Sequence, residues 1–448
     1  MPTINICLYY IITTLKNYAI LSVVIKLTPL IGKTIRVLSR IHGGGSALPG
    51  LVVEKIDPNF VAHCLNQLPY GVVVISGTNG KTTTTKIVVE LLTSQGLKVF
   101  TNKSGSNFIR GVASSLIADI DLQGKLDADI AILELDEAHA VHFVKLLSPK
   151  YCLLLNVMRD QLDRFGEIDT TADMLSEIAK ATTNGIVINR EDPRLLKIGD
   201  AQAQKGKSIQ YFGIEGSLRK YFVSDDDIHE KINKINTGSD RPEALALLSS
   251  ISKSRVDFMI NKKHFSTDLQ ISGIHNIYNA TAALALAKII MPEAKTSNLI
   301  NQLAKSRPAF GRGEMFKIGD SSLELVLVKN PAGFRLALES YAGNKKQVLV
   351  AINDSYADGR DMSWLWDVDF LALQNSAVSV TGSRAYDMAI RLEHDSIEVQ
   401  NIEIHIPKAL KSLISSTSST QKQIYCTYTA MLEIRRLLQK YTSVERVL

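Results

Sequence analysis

Cysteine is scarce and scattered in this chain. Cys7, Cys64, Cys152 and Cys426 lie far apart with no Cys-x-x-Cys spacing, so neither a zinc site nor a disulfide framework is indicated, and a reducing cytoplasm is the default compartment. Long apolar runs are missing as well. The run from Ile4 to Ile12 is followed by Lys16, and the next, from Ala19 to Ile25, stops at Lys26, so neither reaches bilayer-spanning length. No cationic start and no small-residue cleavage site mark a secretory signal. The leader is expected to be a buried or partner-packed helix or an over-long start, with shallow membrane contact as the alternative. Nor is there a basic block: 51 Lys and Arg against 45 Asp and Glu leave +6 spread along the chain. That is too diffuse to indicate nucleic acid but suits an anionic substrate or an anionic membrane surface. No internal repeat is present.

The 448 residues, 45 % hydrophobic and 21 % charged, suit a soluble globular chain of about two or three domains. The strongest signature is Ile75-Ser76-Gly77-Thr78-Asn79-Gly80-Lys81-Thr82-Thr83-Thr84. It lies between the apolar run Gly71-Val72-Val73-Val74 and the helix-patterned Lys86-Ile87-Val88-Val89-Glu90-Leu91-Leu92. A strand passing through a glycine turn into a helix aims backbone N–H groups and the positive end of the helix dipole at one point. Lys81 can then reach terminal phosphates and Thr82 can ligate Mg²⁺. This is a nucleotide-phosphate site, with a turn shorter at its front than the common P-loop.

Gly43-Gly44-Gly45-Ser46 and Pro49-Gly50 read as a loop after the leader. From Gly71, strands expected over 98–101, 129–135, 151–156 and 185–189 alternate with helices over 82–94, 139–147 and 170–182. This is the pattern of a mostly parallel sheet covered on both faces. Ligands of such sheets bind beyond the strand carboxyl ends, where Thr78, Glu134 and Asn156 fall. The span 213–265, with Ser224-Asp225-Asp226-Asp227, reads as a polar, irregular insertion, and helical periodicity returns over 276–290 and 299–304. After the turn Gly311-Arg312-Gly313-Glu314 a second alternating set begins. Its strands are expected over 323–328, 347–353, 377–381 and 423–427, and its helices over 335–342, 384–393, 408–416 and 429–440. The expected organisation is a leader and helix over 1–50, a central α/β domain over 51–310 carrying the insertion, and a second, Rossmann-like α/β domain over 311–448.

Glu134 ends the apolar run Ile130-Ala131-Ile132-Leu133 and faces the P-loop. A carboxylate there is placed to partner Mg²⁺, which takes few protein ligands and keeps phosphates and waters; the plainer alternative is an exposed acidic loop with Asp136 and Glu137. The run Asn156-Val157-Met158-Arg159-Asp160-Gln161-Leu162-Asp163-Arg164-Phe165-Gly166-Glu167 reads equally as a substrate or phosphate loop and as a capped turn. Asn276 and Asn279 at a helix start can read an adenine edge or ribose, or simply cap the helix. In the second domain Lys329-Asn330 joins a strand to a helix. Within 353–370 stand five carboxylates, Arg360 and both tryptophans of the chain, Trp364 and Trp366. Tryptophans in a loop demand burial or an interface.

Together these segments resemble the MurT family, the Mur-ligase-like subunits of a two-subunit lipid II isoglutaminyl synthase. The resemblance runs from about Ile35 to Cys426 and includes Glu134-Leu135-Asp136-Glu137, 276–279, 311–314 and 329–333. The P-loop specifies only the Mur ligase superfamily. The strings Arg159-Asp160-Gln161-Leu162-Asp163-Arg164-Phe165-Gly166-Glu167-Ile168-Asp169 and Asp358-Gly359-Arg360-Asp361 with its tryptophans are specific to this branch. The resemblance implies a Mur-ligase central P-loop ATPase domain followed by a MurT-type α/β domain. It implies ATP bound by Gly77, Thr78, Asn79, Gly80, Lys81, Thr82, Thr83, Asn276, Asn279 and Arg312, with Mg²⁺ held by Thr82 and Glu134. Asn156, Asp160, Asp163, Lys329 and Asn330 are then the substrate or phosphate loops.

The implied reaction is phosphorylation of the α-carboxyl of D-glutamate in the lipid II stem peptide, followed by attack of ammonia on the acyl phosphate to leave D-isoglutamine. The implied partner is a GatD-like glutaminase, to whose Cys–His pair Asp361 is donated across the interface to orient the His. The implied location is cytoplasmic, peripheral at the inner membrane face where lipid II lies, with no nucleic acid involved. Many relatives carry a four-cysteine zinc ribbon after the strand corresponding to 209–212, but 213–265 contains no cysteine, so zinc is not carried over. Two other readings stay open. A stand-alone Mur or folylpolyglutamate-type ligase would carry an amino-acid pocket in place of the Asp361 loop. A non-catalytic scaffold that activates a glutaminase is disfavoured by the intact Lys81, Thr82 and Glu134.

Overall fold

The computed structural model describes residues 27–39, 41, 48–102, 108–158, 168–221, 241–252, 255–271, 273–309, 311–342, 346–416 and 421–444. Among the described residues two sheets carry the fold. The first contains β1 (Gly71–Ser76), β2 (Val99–Thr101), β3 (Ile130–Glu134), β4 (Tyr151–Leu154), β5 (Gly185–Asn189), β6 (Ser208–Ile214), β7 (Ala246–Ser252), β8 (Arg255–Ile260) and β9 (Lys263–Asp268). Their order is β2-β3-β1-β4-β5-β6-β7-β8-β9. Pairing is parallel as far as β7 and antiparallel from β7 to β9.

The apolar run of β1 shows why its neighbours fall where they do. Alternate residues of a strand point to opposite faces, and Val73 and Ile75 join one core while Val72 and Val74 join the other. On the first face lie α1 (Lys81–Ser94) and α2 (Ile274–Ile290). α2 is apolar nearly all round because it is enclosed between the sheet and α1. With β3 and β4 flanking β1, the chain reverses its direction of travel across the sheet there, which opens a crevice at the strand carboxyl ends.

The span read as an irregular insertion is, in its described part, the source of β7, β8 and β9. In Arg255–Ile260 every second side chain is buried, the alternation of a half-covered strand. Asn261 and Lys262, at φ of 49° and 63°, close β8 on β9 with the positive-φ pair whose twist matches a two-residue hairpin. The polar character of Lys263–Asp268, whose side chains are mostly exposed, hides this from a composition-based reading.

The second sheet contains β10 (Arg312–Ile318), β11 (Ser321–Leu327), β12 (Gln347–Ala351), β13 (Ala377–Thr381), β14 (Val399–Glu403) and β15 (Gln421–Cys426). The order is β10-β11-β15-β12-β13-β14, parallel except for β10 on β11. The turn expected at 311–314 is instead the bulged start of β10. The register slips between Arg312 and Glu314, and Gly313 adopts φ 78°. Two helices that bear on the site follow strands here, α3 (Pro331–Tyr341) after β11 and α4 (Tyr428–Leu438) after β15. Among the described residues no helix is long and apolar enough to cross a membrane.

Candidate active site

The loop between β1 and α1 needs glycine because neighbours press on it. Gly77 has φ 134° and Gly80 φ 90°; a Cβ at Gly80 would stand 2.4 Å from Asn279 Oδ1, and one at Gly77 2.9 Å from the Asn156 nitrogen. Asn156, just beyond β4, holds the loop from the other side. Its Oδ1 accepts from the Asn79 N–H at 2.8 Å, its Nδ2 donates to the Asn79 carbonyl at 2.9 Å, and its carbonyl accepts from the Thr78 N–H at 3.1 Å. The Lys81 ammonium donates to the Gly77 carbonyl at 2.6 Å and lies 3.4 Å from the Asp136 carboxylate.

Thr82 and Glu134 meet directly: the hydroxyl donates to Oε1 at 2.7 Å. Glu134 is itself clamped by Asn102, at the end of β2, which accepts from the Glu134 N–H and donates to its carbonyl, both at 2.9 Å. Asn102 is buried and fell outside the sequence reading, although its place just beyond an expected strand was the available signal. The Thr82–Glu134 pair fits Mg²⁺, which favours hard oxygen donors and keeps most of its shell for phosphates and water. Among the described residues no three His, Cys, Asp or Glu side chains converge as a larger metal site.

The second sheet supplies the facing wall. One cleft is lined by Thr78–Thr82, Glu134 and Asp136 on one side and by Arg312, Lys329, Asn330, Asp358 and Tyr428 on the other. The Arg312 guanidinium is enclosed there although part of the residue stays accessible; this enclosure pulls its pKa down, and Glu134 opposes the shift. Lys329 is open to the cleft, but protein on both sides, with Arg312 and Lys81 adding repulsion, brings its ammonium down to about 8. Its Nζ lies 5.8 Å from the centre of the Tyr428 ring, within reach of the ring's negative face. Asn330 caps α3, accepting from the Gly333 N–H at 2.7 Å, while its Nδ2 reaches Asn79 Oδ1 at 3.5 Å. It therefore ties the helix start in one sheet layer to the P-loop of the other.

A second cavity adjoins the P-loop at Asn79, Gly80 and Thr83 and runs between α2 and α3 past His275, Asn276, Leu336 and Ala337. Asn276 donates to the Tyr341 hydroxyl at 2.7 Å and to the Arg312 carbonyl at 3.2 Å, so its amide joins the two halves. Burial pushes the His275 imidazole down to about 3, and it lines the cavity as a neutral ring. His275 and Tyr341 were not singled out in the sequence. An apolar slot beside a cation-rich cleft can hold a planar base and a polyphosphate chain end to end. Asp160 and Asp163 lie outside the described residues.

Asp361 stands apart from both cavities. Asp358 is buried and staples the loop to the start of α4, accepting from the Thr429 N–H at 2.7 Å and its hydroxyl at 2.6 Å. Gly359, at φ 84°, then turns the chain. Asp361 emerges exposed, accepting from the Ser363 N–H at 2.8 Å, and Ser363 holds its carboxyl below the usual range. The two tryptophans divide: Trp364 packs near Phe334, ring centres 6.3 Å apart, whereas Trp366 is 53 % exposed. Buried Arg391 fixes this segment by donating to the Leu365 carbonyl at 3.2 Å and to the Val368 carbonyl at 2.5 Å.

Residues 75–287 match the Mur ligase middle domain family, and residues 327–431 the MurT ligase C-terminal family. The chain is 34 % identical over 435 residues to the lipid II isoglutaminyl synthase (glutamine-hydrolyzing) subunit MurT of Streptococcus pneumoniae, covering 90 % of this chain and 94 % of that protein. To the subunit of the same name from Staphylococcus aureus it is 30 % identical, over 82 % of this chain and 87 % of the relative. Among solved structures, MurF from Acinetobacter baumannii superimposes with a TM-score of 0.66 at 17 % identity, covering 88 % and 80 % of the two chains. MurF from Thermotoga maritima in complex with ADP gives 0.64 at 18 %, covering 88 % and 83 %. At such identities these two structures speak for the fold alone.

Proposed function

The chain belongs to the MurT family of Mur-ligase-like subunits, and from that premise we propose that it is the ATP-dependent ligase subunit of a lipid II isoglutaminyl synthase in peptidoglycan synthesis. The γ-phosphoryl group of ATP passes to the α-carboxyl of D-glutamate in the stem peptide. Ammonia from a GatD-like glutaminase partner then attacks the acyl carbon, inorganic phosphate leaves, a proton passes to water, and D-isoglutamine remains. The reaction is placed on the cytoplasmic side, at the membrane face that carries the lipid-linked substrate.

The observation that carries this reading is the cleft in which Lys81, Thr82 and Glu134 face Arg312 and Lys329. Phosphoryl transfer needs little covalent help from protein; it needs preorganised positive charge around the transferring group and in-line positioning. Lys81, Arg312 and Lys329 supply that charge from two sheets, and the N-terminus of α1 adds backbone donors. Thr82 and Glu134 are the residues to hold Mg²⁺, which when bound neutralises and orients the β- and γ-phosphates. Asn279 sits beside the base cavity, Asn276 joins its walls, and Asn156 keeps the P-loop in shape. Lys329 faces the cleft in which the carboxylate that accepts the phosphoryl group is to bind, and Asn330 holds the start of α3 to the P-loop beside it.

The test is amidation of lipid II by the full chain with its glutaminase partner. Lys81→Ala is expected to lose activity with glutamine and with added ammonium alike, while complex formation persists. Full amidation by that variant would sink the assignment.

A further inference from the structure

Residues 27–39 form a helix with two unlike apolar sides. On one side Thr28, Pro29, Gly32 and Ser39 are buried, and Gly32 lies so close to the protein body that a Cβ there would sit 3.0 Å from Val53 and 3.1 Å from Ile117. On the other, Leu27, Leu30, Val37 and Leu38 are exposed by 45, 50, 57 and 51 %, and Ile41 just beyond by 72 %. At about 100° per residue these five fall within an arc of roughly 100°, about half a turn away from the buried side. The turn that touches Pro29 through Gly124 adds Leu122, 59 % exposed. A stripe of large aliphatic side chains left uncovered marks a surface that something apolar occupies.

The charge of this region says what the occupant is. Before Glu54 the chain contains no Asp or Glu at all, but it contains Lys16, Lys26, Lys33, Arg36 and Arg40. The +6 read above as spread along the chain is therefore not evenly spread: these five cations with no acid put +5 of it in the first 53 residues. The preceding sequence is itself rich in apolar residues, from Ile4 to Ile12 and from Ala19 to Ile25. The helix itself carries aliphatic side chains, Lys33 and Arg36 and no carboxylate, with Asp121 the acidic neighbour of Leu122; this matches an anionic lipid interface, where an apolar stripe enters the headgroup boundary and flanking cations meet the phosphates. We infer that this helix docks the protein on an anionic membrane surface, lying in its plane without crossing it. The inference shares with the proposed function only the location at a membrane face.

Co-sedimentation of the full chain with vesicles that contain no lipid II separates the two. The chain is expected to bind phosphatidylglycerol vesicles, and to bind phosphatidylcholine vesicles, or phosphatidylglycerol at about 0.5 M salt, at least about tenfold more weakly. Val37→Asp and Ile41→Asp, both at exposed positions, should each weaken binding by about tenfold with unchanged thermal unfolding. Absence of binding to the anionic vesicles, or equal binding by both variants, overturns the inference. So does a concentration-dependent dimer that Val37→Asp dissolves without vesicle binding, which would make the stripe a contact between copies. Amidation in detergent is read separately, and its failure would bear on the ligase assignment alone.

Discussion

Replacing Asp361 by Asn isolates the proposed glutaminase half of the reaction. The substitution is nearly isosteric and keeps an Oδ1 to accept the Ser363 N–H that Asp361 accepts at 2.8 Å. The loop is anchored elsewhere, by Asp358 on Thr429 and by Arg391 on the Leu365 and Val368 carbonyls. Because Asp361 is exposed, stability should change by no more than about 0.5 kcal/mol. What disappears is a negative charge that Ser363 keeps ionised well below neutral pH. If that charge fixes the tautomer of the partner's histidine and stabilises its imidazolium, glutamine-dependent turnover falls by about 10⁴-fold, equivalent to about 5.4 kcal/mol of transition-state stabilisation. Asp361 does not line the cleft of Lys81, Thr82 and Glu134, so amidation driven by added ammonium should stay within a few-fold of wild type. The assay is amidated lipid II formed per unit time with each nitrogen source, beside a binding measurement for the partner. Equal losses with glutamine and ammonium would reject the shared-triad role and point to substrate binding by Asp361.

Asn102→Ala leaves the Glu134 N–H and carbonyl buried without their side-chain partner, costing roughly 2–4 kcal/mol of stability. It should also raise the Mg²⁺ concentration needed for half-maximal activity about 10-fold or more, and an unchanged Mg²⁺ titration would show that Glu134 needs no such support. Lys329, with a pKa of about 8 in place of 10.5, should give kcat/KM an alkaline limb near pH 8 that Lys329→Gln removes; a limb that persists in the variant belongs to another group. Since folding lowers this pKa, the unfolded chain holds the proton more tightly, and the Lys329 contribution to stability grows as pH rises from about 8 toward 10.5.

The elements legible in the sequence were those whose residues repeat a period and whose ends are marked. β5 and β13 fall where alternation and flanking turns put them, and α1 starts at Lys81, one residue before the expected start. β10 was missed because Gly311 and Gly313 read as a turn, whereas a bulge uses positive φ within a strand. The P-loop was readable because its chemistry is local: strand, glycines, lysine and hydroxyl are consecutive. Asn102 and Tyr341 were not, since their parts in the site come from pairings across 32 and 65 residues, Asn102 with Glu134 and Tyr341 with Asn276, and His275 enters only through the cavity that α3 closes. No local pattern distinguishes an asparagine that clamps a carboxylate's backbone from one that caps a turn.

The arrangement of the segment from Asp358 to Asp361 bears on how two chemistries share one chain. Asp358 lines the cleft of Lys81, Thr82 and Glu134 and accepts from Thr429 at the start of α4, beside Tyr428 and Lys329. Asp361, on the far side of the Gly359 turn, is exposed on the surface. Three residues of chain span at most about 11 Å. If Asp361 serves the partner's histidine, the place where ammonia is released lies only a short way from the cleft in which the acyl phosphate forms. That span is about one layer of packed side chains; Asp358 is anchored on Thr429, and Arg391 holds the chain beyond Asp361 at Leu365 and Val368. On the proposed reading the partner docks beside this cleft rather than at a remote face, and the loop that offers it Asp361 also lends Asp358 to the cleft wall.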